Sequence, residues 1–211
     1  MGQEARILVA TKNRHKAEEL ADLIGRTGSG DQPRTLSLVD WESDHRPLPE
    51  PREGADGFVE NALIKARDYA RASGLVALAD DSGLSVAALG GAPGVLSARY
   101  GGPDLDDAGR NRLLLDKLAA AHDRRAFFTS VLALARPDGR ALFWTGCLQG
   151  LISREARGGH GFGYDPIFYH PESRRTLGQL TASEKNAVSH RALAARIFLS
   201  DSFRIRRFLS I

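Results

Sequence analysis

The chain contains 211 residues, of which 42% are apolar and 26% charged, an ordinary globular composition that excludes collagen, coiled coil and bulk disorder. A chain of this length can bury roughly 70% of its unfolded surface, and its lone cysteine, Cys147, excludes an internal disulfide and a cysteine metal cluster. The formal net charge of +3 is too small to indicate a nucleic-acid partner. With no signal peptide and no apolar run long enough to cross a membrane, we expect one cytoplasmic domain over residues 1–211.

Hydrophobic periodicity predicts strands that alternate with helices. Arg6–Ala10 is typical of a short buried strand, and a polar turn leads from it into a helix that Gly25 closes. The elements predicted after it are a strand at 35–39, an irregular loop at 40–57, a helix from Phe58 to Gly74, a buried strand at 75–79, a glycine-rich segment at 80–103, a helix at 106–122, a hairpin of strands 127–135 and 141–152, and a last helix from Ser189. This interleaving favours an α/β fold with a mixed sheet.

The polar turn Thr11–Lys16 is the first candidate site. It lies between a buried strand and a helix, where free backbone N–H groups suit an anion. Thr11 and Asn13 can donate hydrogen bonds, and Lys16 adds a positive charge. The turn lacks the glycines of a Walker A loop. A phosphate site and an ordinary capped loop are both open at this point.

Asp80 and Asp81 directly follow the strand predicted at 75–79, a position where α/β proteins often hold a metal ion. Adjacent side chains on an extended chain point in opposite directions, so at most one of the two should face a ligand. One or two carboxylates, waters and substrate phosphates are typical ligands of Mg²⁺. The alternative is an Asx-turn in which one aspartate caps the backbone.

Two later segments combine aromatic and charged side chains. In the segment 161–166, glycines flank Phe162 and would let its ring lie flat, which suits base stacking, whereas the alternative is a tight turn with buried aromatics. In the segment 185–191, Ser189 can cap the last helix. His190 and Arg191 would then lie at a positively polarised helix start, which favours an anionic or electron-rich partner. The alternative there is a solvated face, with Arg191 paired to a surface acid.

Lysine is scarce in this chain, with 5 Lys against 24 Arg, so each lysine is a candidate for a specific role. Lys65 lies on the helix predicted from Phe58, and Asp68 follows three residues later. The simplest interpretation of that spacing is a surface ion pair between the two.

Four blocks, in the same order along the chain, resemble the inosine triphosphate pyrophosphatase family, also called XTP/dITP diphosphatases. The blocks are Ala10–Lys16, Phe58–Ala66, Ala79–Leu84 with Gly90–Tyr100, and Gly161–Phe168 with Lys185–Arg191. The resemblance implies a two-lobed α/β fold with a long curved mixed sheet flanked by helices, an active-site cleft between the lobes, and a homodimer. It also implies Mg²⁺-dependent hydrolysis of ITP, dITP and XTP to the monophosphate and pyrophosphate, which removes deaminated purines from the nucleotide pool.

The resemblance assigns roles by position. Asp81 would bind Mg²⁺ and act as the base toward the attacking water, and Glu53 is favoured over Glu50 as the second metal acid. The residues implied in substrate binding are Thr11, Lys12, Asn13, Arg14, His15, Lys16, Lys65, Ser82, Phe162, Gly163, Tyr164, Asp165, Lys185, His190 and Arg191. Asp165 facing N1–H and Arg191 facing the 6-oxygen would accept hypoxanthine and reject adenine, because mismatched buried polar groups discriminate strongly.

This chain departs from the family pattern at several positions. Lys12 stands where the family commonly has glycine, and Glu50–Glu53 occupies the stretch of the second metal acid. Further departures are Ser85, Ala87 and Gln179. They bear on rate and substrate range more than on reaction type.

Three other functions are consistent with parts of the sequence. The departures would suit a nucleotide-binding paralogue with little turnover, or a pyrophosphatase tuned to a different nucleotide. The basic tail with Arg204, Arg206 and Arg207 would suit a nucleic-acid-binding module, although spaced arginines on a final helix are more typical of a solvated face.

Overall fold

The computed structural model describes residues 6–25, 34–37, 42, 47–51, 54 and 57–209. The strands in these ranges are β1 (Arg6–Val9), β2 (Arg34–Ser37), β3 (Val76–Val86), β4 (Arg125–Ala135), β5 (Ala141–Ile152), β6 (Phe168–His170) and β7 (Arg175–Thr176). The helices are α1 (Arg14–Gly25), α2 (Phe58–Ser73), α3 (Asp107–Lys117), α4 (Ala182–Val188), α5 (His190–Ser200) and α6 (Ser202–Leu209).

The described strands form a mixed sheet with the order β2-β1-β3-β4-β5-β6-β7. β1 pairs in parallel with both of its neighbours, so that Leu8 lies opposite Leu36 on one side and Ala77 on the other. At the other end, β6 pairs antiparallel with β5 and β7, and Ile152 lies opposite Phe168. The α/β class with a mixed sheet is therefore confirmed.

The chain divides into two compact units. The first contains Met1–Asp81, Ser130–Gly146 and Arg191–Ile211, and the second contains Ser82–Thr129 and Cys147–His190. The boundaries cut β3, β4 and β5, and they separate His190 from Arg191. The candidate residues of the sequence are thus distributed over both units.

The core of the first unit follows from strict alternation along its strands. Leu8 and Ala10 of the β1 segment, with Ala77 and Ala79 of β3, belong to a buried cluster that includes Ala62 and Ala66 of α2. The strand residues next to them, Ile7, Val9 and Leu78, belong to a second buried cluster. That cluster also contains helix residues of α1, α5 and α6, namely Leu20, Ile24, Ala194, Ala195, Phe198 and Ile205. A strand that is covered on both faces reads as a continuous apolar run, which is why these short strands are visible in the sequence.

The second unit has a core of its own. Its buried apolar side chains come from strand, helix and loop residues, among them Leu84, Leu114, Leu118, Tyr164, Ile167 and Phe168. Asp106 begins α3 as its N-cap, since its side chain accepts the N–H of Gly109 at 2.7 Å. The cap fixes the start of the helix beside the segment 161–166, to which α3 contributes hydrogen bonds.

Several predicted elements are confirmed. α2 begins at Phe58 and ends at Gly74, which takes a left-handed φ of 73° and donates its N–H to Ala70. β4 and β5 form the predicted hairpin, closed by the hydrogen bond from the N–H of Arg136 to the carbonyl of Arg140. The described part of the strand predicted at 35–39 is β2, and most of the loop predicted at 40–57 lies outside the described residues.

Other predicted boundaries were wrong. β3 does not end at Ala79 but continues through Asp80–Gly83 to Val86, although aspartate, serine and glycine are poor strand formers. Burial and ion pairing of the two aspartates outweigh that weak propensity. α3 ends at Lys117 rather than near His122, and the last helix is divided into α5 and α6.

Among the described residues, no helix combines the length and the hydrophobicity that a membrane span requires.

Candidate active site

Asp80 and Asp81 are consecutive residues inside β3, and their side chains have different partners. The carboxylate of Asp80 lies 2.9 Å from Nζ of Lys16, which is on α1. The carboxylate of Asp81 accepts a hydrogen bond of 2.7 Å from Nζ of Lys65, which is on α2. Extended backbone explains this divergence, and the Asx-turn alternative is wrong because both residues belong to a continuous strand.

Asp80 is buried, with only 1% of its surface exposed, and it contacts several polar side chains. Its Oδ1 accepts the hydroxyl of Ser130 at 2.6 Å, and its Oδ2 lies 3.3 Å from a terminal nitrogen of Arg191. Burial is the largest single influence and opposes ionisation, but the charges of Arg191 and Lys16, with the bond from Ser130, hold the pKa of Asp80 well below its ordinary value. Asp80 is therefore an internal counterion for two cations.

Asp81 is also buried, with 6% of its surface exposed, but it has capacity left for a ligand. Its Oδ1 is bonded to Lys65, whereas its Oδ2 is buried and has no hydrogen-bond partner among the described residues. Burial raises the pKa of Asp81, and the charge of Lys65 opposes that rise. A buried carboxylate oxygen without a partner is rare. Oδ2 of Asp81 is therefore the candidate atom for contact with a bound cation or a hydrogen-bond donor.

This arrangement fits a magnesium ion. Mg²⁺ needs one or two protein carboxylates and takes its other ligands from water and substrate phosphates. The free oxygen of Asp81 can supply one carboxylate ligand, and Asp80 is committed to its cations. The second predicted acid, Glu53, lies outside the described residues. The described ranges contain no cluster of three or more His, Cys, Asp or Glu side chains that could hold a metal, and a site completed by substrate does not require one.

The turn Thr11–Lys16 has the geometry of a capped helix start. Oδ1 of Asn13 accepts the N–H of Lys16 at 3.1 Å, and the N–H of Asn13 donates to Oγ1 of Thr11 at 3.2 Å. The capped-loop alternative is thus confirmed as local structure. It leaves the phosphate hypothesis open, because the same turn places the Lys16 ammonium group against Asp80, close to the start of α1.

The three other residues of this turn, Lys12, Arg14 and His15, are exposed. Lys12 lies 3.9 Å from Glu50, and both side chains are largely exposed. Arg14 is bonded to Glu18 one helical turn later at 2.8 Å, and His15 is exposed. Exposed pairs of this kind contribute little to stability.

The second group of candidates is built around Asp165, which is 2% exposed. Its Oδ2 accepts the ammonium group of Lys185 at 2.6 Å and the backbone N–H of Phe162 at 2.9 Å. The same Lys185 nitrogen lies 4.6 Å from the centroid of the Phe162 ring. The Asp165–Lys185 ion pair therefore holds Phe162 in two ways: Asp165 binds its backbone N–H, and Lys185 lies over one face of its half-buried ring.

Gly161 makes this arrangement possible. It has a φ of +74°, and a Cβ at this position would lie 2.1 Å from Oδ2 of Asp165. Any side chain would therefore displace the carboxylate that holds Phe162 and Lys185.

Tyr164 and His190 have packing roles. The Tyr164 hydroxyl donates to the carbonyl of Ser97 at 2.9 Å, and burial raises the pKa of Tyr164 well above its ordinary value. The His190 ring stacks on Phe128 with ring centroids 4.6 Å apart. The tight turn with a buried aromatic is thus confirmed for Tyr164, while Phe162 is only half-buried. Ser82, which follows Asp81 in β3, is also half-buried.

Arg191 is 1% exposed, so the solvated-face alternative is wrong for this residue and for the buried His190. One terminal nitrogen of Arg191 bonds to Glu19 and the other lies 3.3 Å from Asp80. Burial disfavours the charged form, but Asp80 and Glu19 outweigh it and raise the pKa of Arg191.

The surface pair expected between Lys65 and Asp68 is also wrong. Lys65 is bonded to Asp81, and Asp68 lies 3.5 Å from Arg71 instead.

Three further residues belong to these groups and were not predicted from the sequence. Glu19 contacts Arg191, and Asp107 and Asn111 of α3 both bind the backbone of Gly163. Asp107 and Asn111 are four residues apart on one helix, which places them on one face. Their partner is more than fifty residues away, so spacing alone could not identify it.

Comparison with known proteins gives a consistent result. Residues 7–201 match the family model described as the Ham1 family. A protein of Aromatoleum aromaticum named dITP/XTP pyrophosphatase is 48% identical over 93% of this chain and 96% of its own length, and one of Leifsonia xyli with the same name is 47% identical over 90% and 91%.

Solved structures agree. The HAM1 protein of Coxiella burnetii has a TM-score of 0.83 and 41% identity, and covers 95% of this chain and 99% of its own. The Staphylococcus aureus Ham1 protein has a TM-score of 0.79 and 34% identity, with 96% and 99% coverage. From its residues, its fold and these similarities, the chain belongs to the Ham1 family.

Proposed function

We propose that this protein hydrolyses dITP, XTP and ITP to the nucleoside monophosphate and pyrophosphate with the help of Mg²⁺. The observation that carries the proposal is the Lys65–Asp81 pair, which leaves one buried carboxylate oxygen of Asp81 without a partner among the described residues. The names of relatives that are 44–48% identical over most of the chain support the choice of substrates.

Cleavage of a phosphoanhydride depends mainly on positioning and on neutralisation of charge. Lys16 and Lys65 would bind the triphosphate, and Thr11 and Asn13 would add hydrogen bonds. Asp81, with Glu53 from outside the described residues, would hold Mg²⁺, which supplies further neutralisation of the phosphate charge when bound. The reaction then needs no covalent intermediate between the substrate and the protein.

Asp81 also has the properties of a base. A water oxygen forms a bond to the α-phosphorus, the bond from that phosphorus to the bridging oxygen breaks, and pyrophosphate leaves. The water proton passes to the Asp81 carboxylate. A buried carboxylate with a raised pKa accepts a proton more readily than an exposed one.

Recognition of the base would depend on Phe162, Asp165 and Lys185. Phe162 would stack on the purine, Asp165 would accept N1–H, and Lys185 would donate to the 6-oxygen. Arg191 was the donor expected from the sequence, but its terminal nitrogens bind Glu19 and Asp80, which favours Lys185 for this contact. Adenine presents a bare N1 and an amine at position 6, so it would leave both side chains mispaired.

The family resemblance also supports a homodimer and a cytoplasmic location, where the nucleotide pool would be accessible. Sedimentation equilibrium of the purified protein tests the first of these, since it measures mass directly. A mass of one chain across the concentration range would contradict the homodimer.

A product assay tests the activity. Purified protein with Mg²⁺ is given ITP, XTP, dITP, GTP, ATP and dTTP, and pyrophosphate and orthophosphate are measured separately. We expect pyrophosphate from ITP, XTP and dITP, little product from ATP, and near-total loss of turnover in Asp81→Asn. Asp123→Asn is the matched control, because it changes a partly exposed aspartate that is paired with Arg125.

Three outcomes would contradict the proposal. Release of orthophosphate alone, or turnover that persists in Asp81→Asn, would refute the mechanism. Tight binding of ITP without turnover in the wild type would favour a nucleotide-binding paralogue. Equal unfolding temperatures of Asp81→Asn and wild type would show that a loss of turnover is not a loss of fold.

A further inference from the structure

The backbone N–H and the carbonyl of Gly163 are both hydrogen-bonded to side chains of one helix, α3. Oδ2 of Asp107 accepts the N–H of Gly163 at 2.7 Å, and Nδ2 of Asn111 donates to the carbonyl of Gly163 at 3.0 Å. Asp107 and Asn111 are one helical turn apart on α3, so a single rigid face of the helix carries both groups. We call the two hydrogen bonds that Asp107 and Asn111 form with Gly163 the clamp. Gly163 follows Phe162 directly, so the clamp acts on the backbone beside the candidate base-stacking ring.

Gly163 needs such partners because of its conformation. Its φ of +61° takes it out of any strand ladder, and backbone groups in such a turn must find other partners. On the other side of the ring, the N–H of Phe162 is bonded to Asp165. The backbone is thus fixed on both sides of Phe162, on one side by Asp165 three residues later and on the other by Asp107 and Asn111 from a distant part of the sequence.

Asn111 is kept in a position where an apolar side chain would be easier to bury. It is 5% exposed, and within the described ranges its Oδ1 has no hydrogen-bond partner, nor has Nε of the adjacent Arg110. An unsatisfied buried acceptor destabilises a protein. The bond from Nδ2 to Gly163 is the evident compensation, which indicates that the placement of this backbone matters.

From these contacts we infer that Asp107 and Asn111 are positioning residues for base recognition. They hold Gly163 so that the Phe162 ring, with Lys185 on one face, meets the purine in a fixed orientation. The inference rests on the proposed function and extends it to two residues that do not touch the substrate. Pre-organisation of this kind raises affinity by lowering the ordering cost of binding.

The test compares Asp107→Ala and Asn111→Ala with Asp116→Ala. Asp116 is the matched control, since it is an exposed aspartate in the last turn of the same helix, away from the capped first turn that carries Asp107. For Asp107→Ala and Asn111→Ala we expect the KM for dITP to rise about tenfold, as for the loss of one or two hydrogen bonds, with kcat changed by less than about threefold. Inhibition by inorganic tripolyphosphate, which has no base, should not change, and Asp116→Ala should keep the wild-type KM.

Conservative variants separate positioning from general destabilisation. Asp107→Asn keeps an acceptor oxygen and should retain most of the affinity for dITP. Asn111→Asp sets a carboxylate against the Gly163 carbonyl and should raise KM at least as much as Asn111→Ala. A parallel weakening of dITP and tripolyphosphate in all variants would overturn the inference.

Hydrogen exchange of the Gly163 amide gives a readout that needs no substrate. Exchange should accelerate in Asp107→Ala and Asn111→Ala but not in Asp116→Ala. Unchanged exchange would refute the clamp, and accelerated exchange with an unchanged KM would refute its role in recognition. A wild type that fails to hydrolyse dITP refutes the proposed function and the role in recognition with it, whereas the exchange result still decides whether the clamp exists.

Discussion

At the scale of single residues, Asp80 and Asp81 show how one peptide step changes the role of a carboxylate. Asp80 is surrounded by Lys16, Arg191 and Ser130, and Asp81 keeps one oxygen without a partner among the described residues. Removal of one partner from a buried ionic group leaves uncompensated charge. The two aspartates should therefore respond differently to the same substitution.

Asp80→Asn is expected to destabilise the fold by about 3–5 kcal/mol, because Lys16 and Arg191 would lose their buried counterion. Urea unfolding measures the change in the free energy of unfolding. Asp123→Asn, at an exposed pair, should change it little. Equal effects of the two substitutions would show that the buried network contributes no more than a surface pair.

Lys65→Gln is expected to move the acid limb of the pH–rate profile to higher pH. The positive charge of Lys65 opposes the rise of the Asp81 pKa caused by burial, so its removal lets that pKa rise further. Asp81 must be ionised to accept a proton, and activity is lost as pH falls through its pKa.

Lys117→Gln is the control for Lys65→Gln, since Lys117 lies over the Tyr100 ring at 4.9 Å and contacts neither aspartate in the described interactions. It should leave the acid limb in place. An acid limb that moves to lower pH in Lys65→Gln would contradict the assignment of Asp81 as the base.

At the scale of elements, the segment 161–166 depends on a glycine that a side chain cannot replace. Gly161→Ala would place a methyl group 2.1 Å from Oδ2 of Asp165 at a φ of +74°. We expect Asp165 to lose its contact with Lys185, and the KM for dITP to rise by about tenfold or more. Steady-state kinetics with dITP measures this effect.

Gly159→Ala is the matched control for Gly161→Ala, because a Cβ at Gly159 meets nothing within 4 Å. It should leave both the KM and the unfolding temperature unchanged. A wild-type KM in Gly161→Ala would mean that the Asp165–Lys185 pair does not contribute to substrate binding.

α4 carries Lys185 and begins with a capping box between Thr181 and Glu184. Hydrogen bonds from Arg175 and Thr181 lower the pKa of Glu184 from 4.5 to about 2. A lowered folded-state pKa stabilises the fold above pH 4.5, and this stabilisation is lost as pH falls towards 2. The stability advantage of wild type over Glu184→Gln should shrink over that range in thermal unfolding. An advantage that grows on acidification would contradict this sign.

The sequence predicted the elements whose signals are local. The helix from Phe58 to Gly74 has a regular apolar stripe and a glycine cap, and the divergence of Asp80 from Asp81 follows from strand geometry. The end of β3 was wrong because strand propensity carries no information on burial or pairing in the fold. The partner of Lys65 was wrong because Asp68 is near in sequence, whereas Asp81 is near in space.

At the scale of the whole molecule, arginine and lysine are used differently. Several exposed arginines pair with an acid two residues away, as Arg125 does with Asp123 and Arg140 with Asp138. Three of the 5 lysines instead lie against buried aspartates, namely Lys16 with Asp80, Lys65 with Asp81 and Lys185 with Asp165. A lysine is a compact point charge that can exchange partners, which a forked guanidinium does less readily.

The Lys16–Asp80 and Lys65–Asp81 pairs have a consequence for turnover. A triphosphate that binds these lysines must compete with carboxylates that already satisfy them, which weakens the affinity for the nucleotide. The same competition works in reverse after cleavage, because the carboxylates can recapture the ammonium groups as pyrophosphate departs. We therefore expect pyrophosphate to inhibit the protein only weakly, because the carboxylates of Asp80 and Asp81 compete with it for the two lysines.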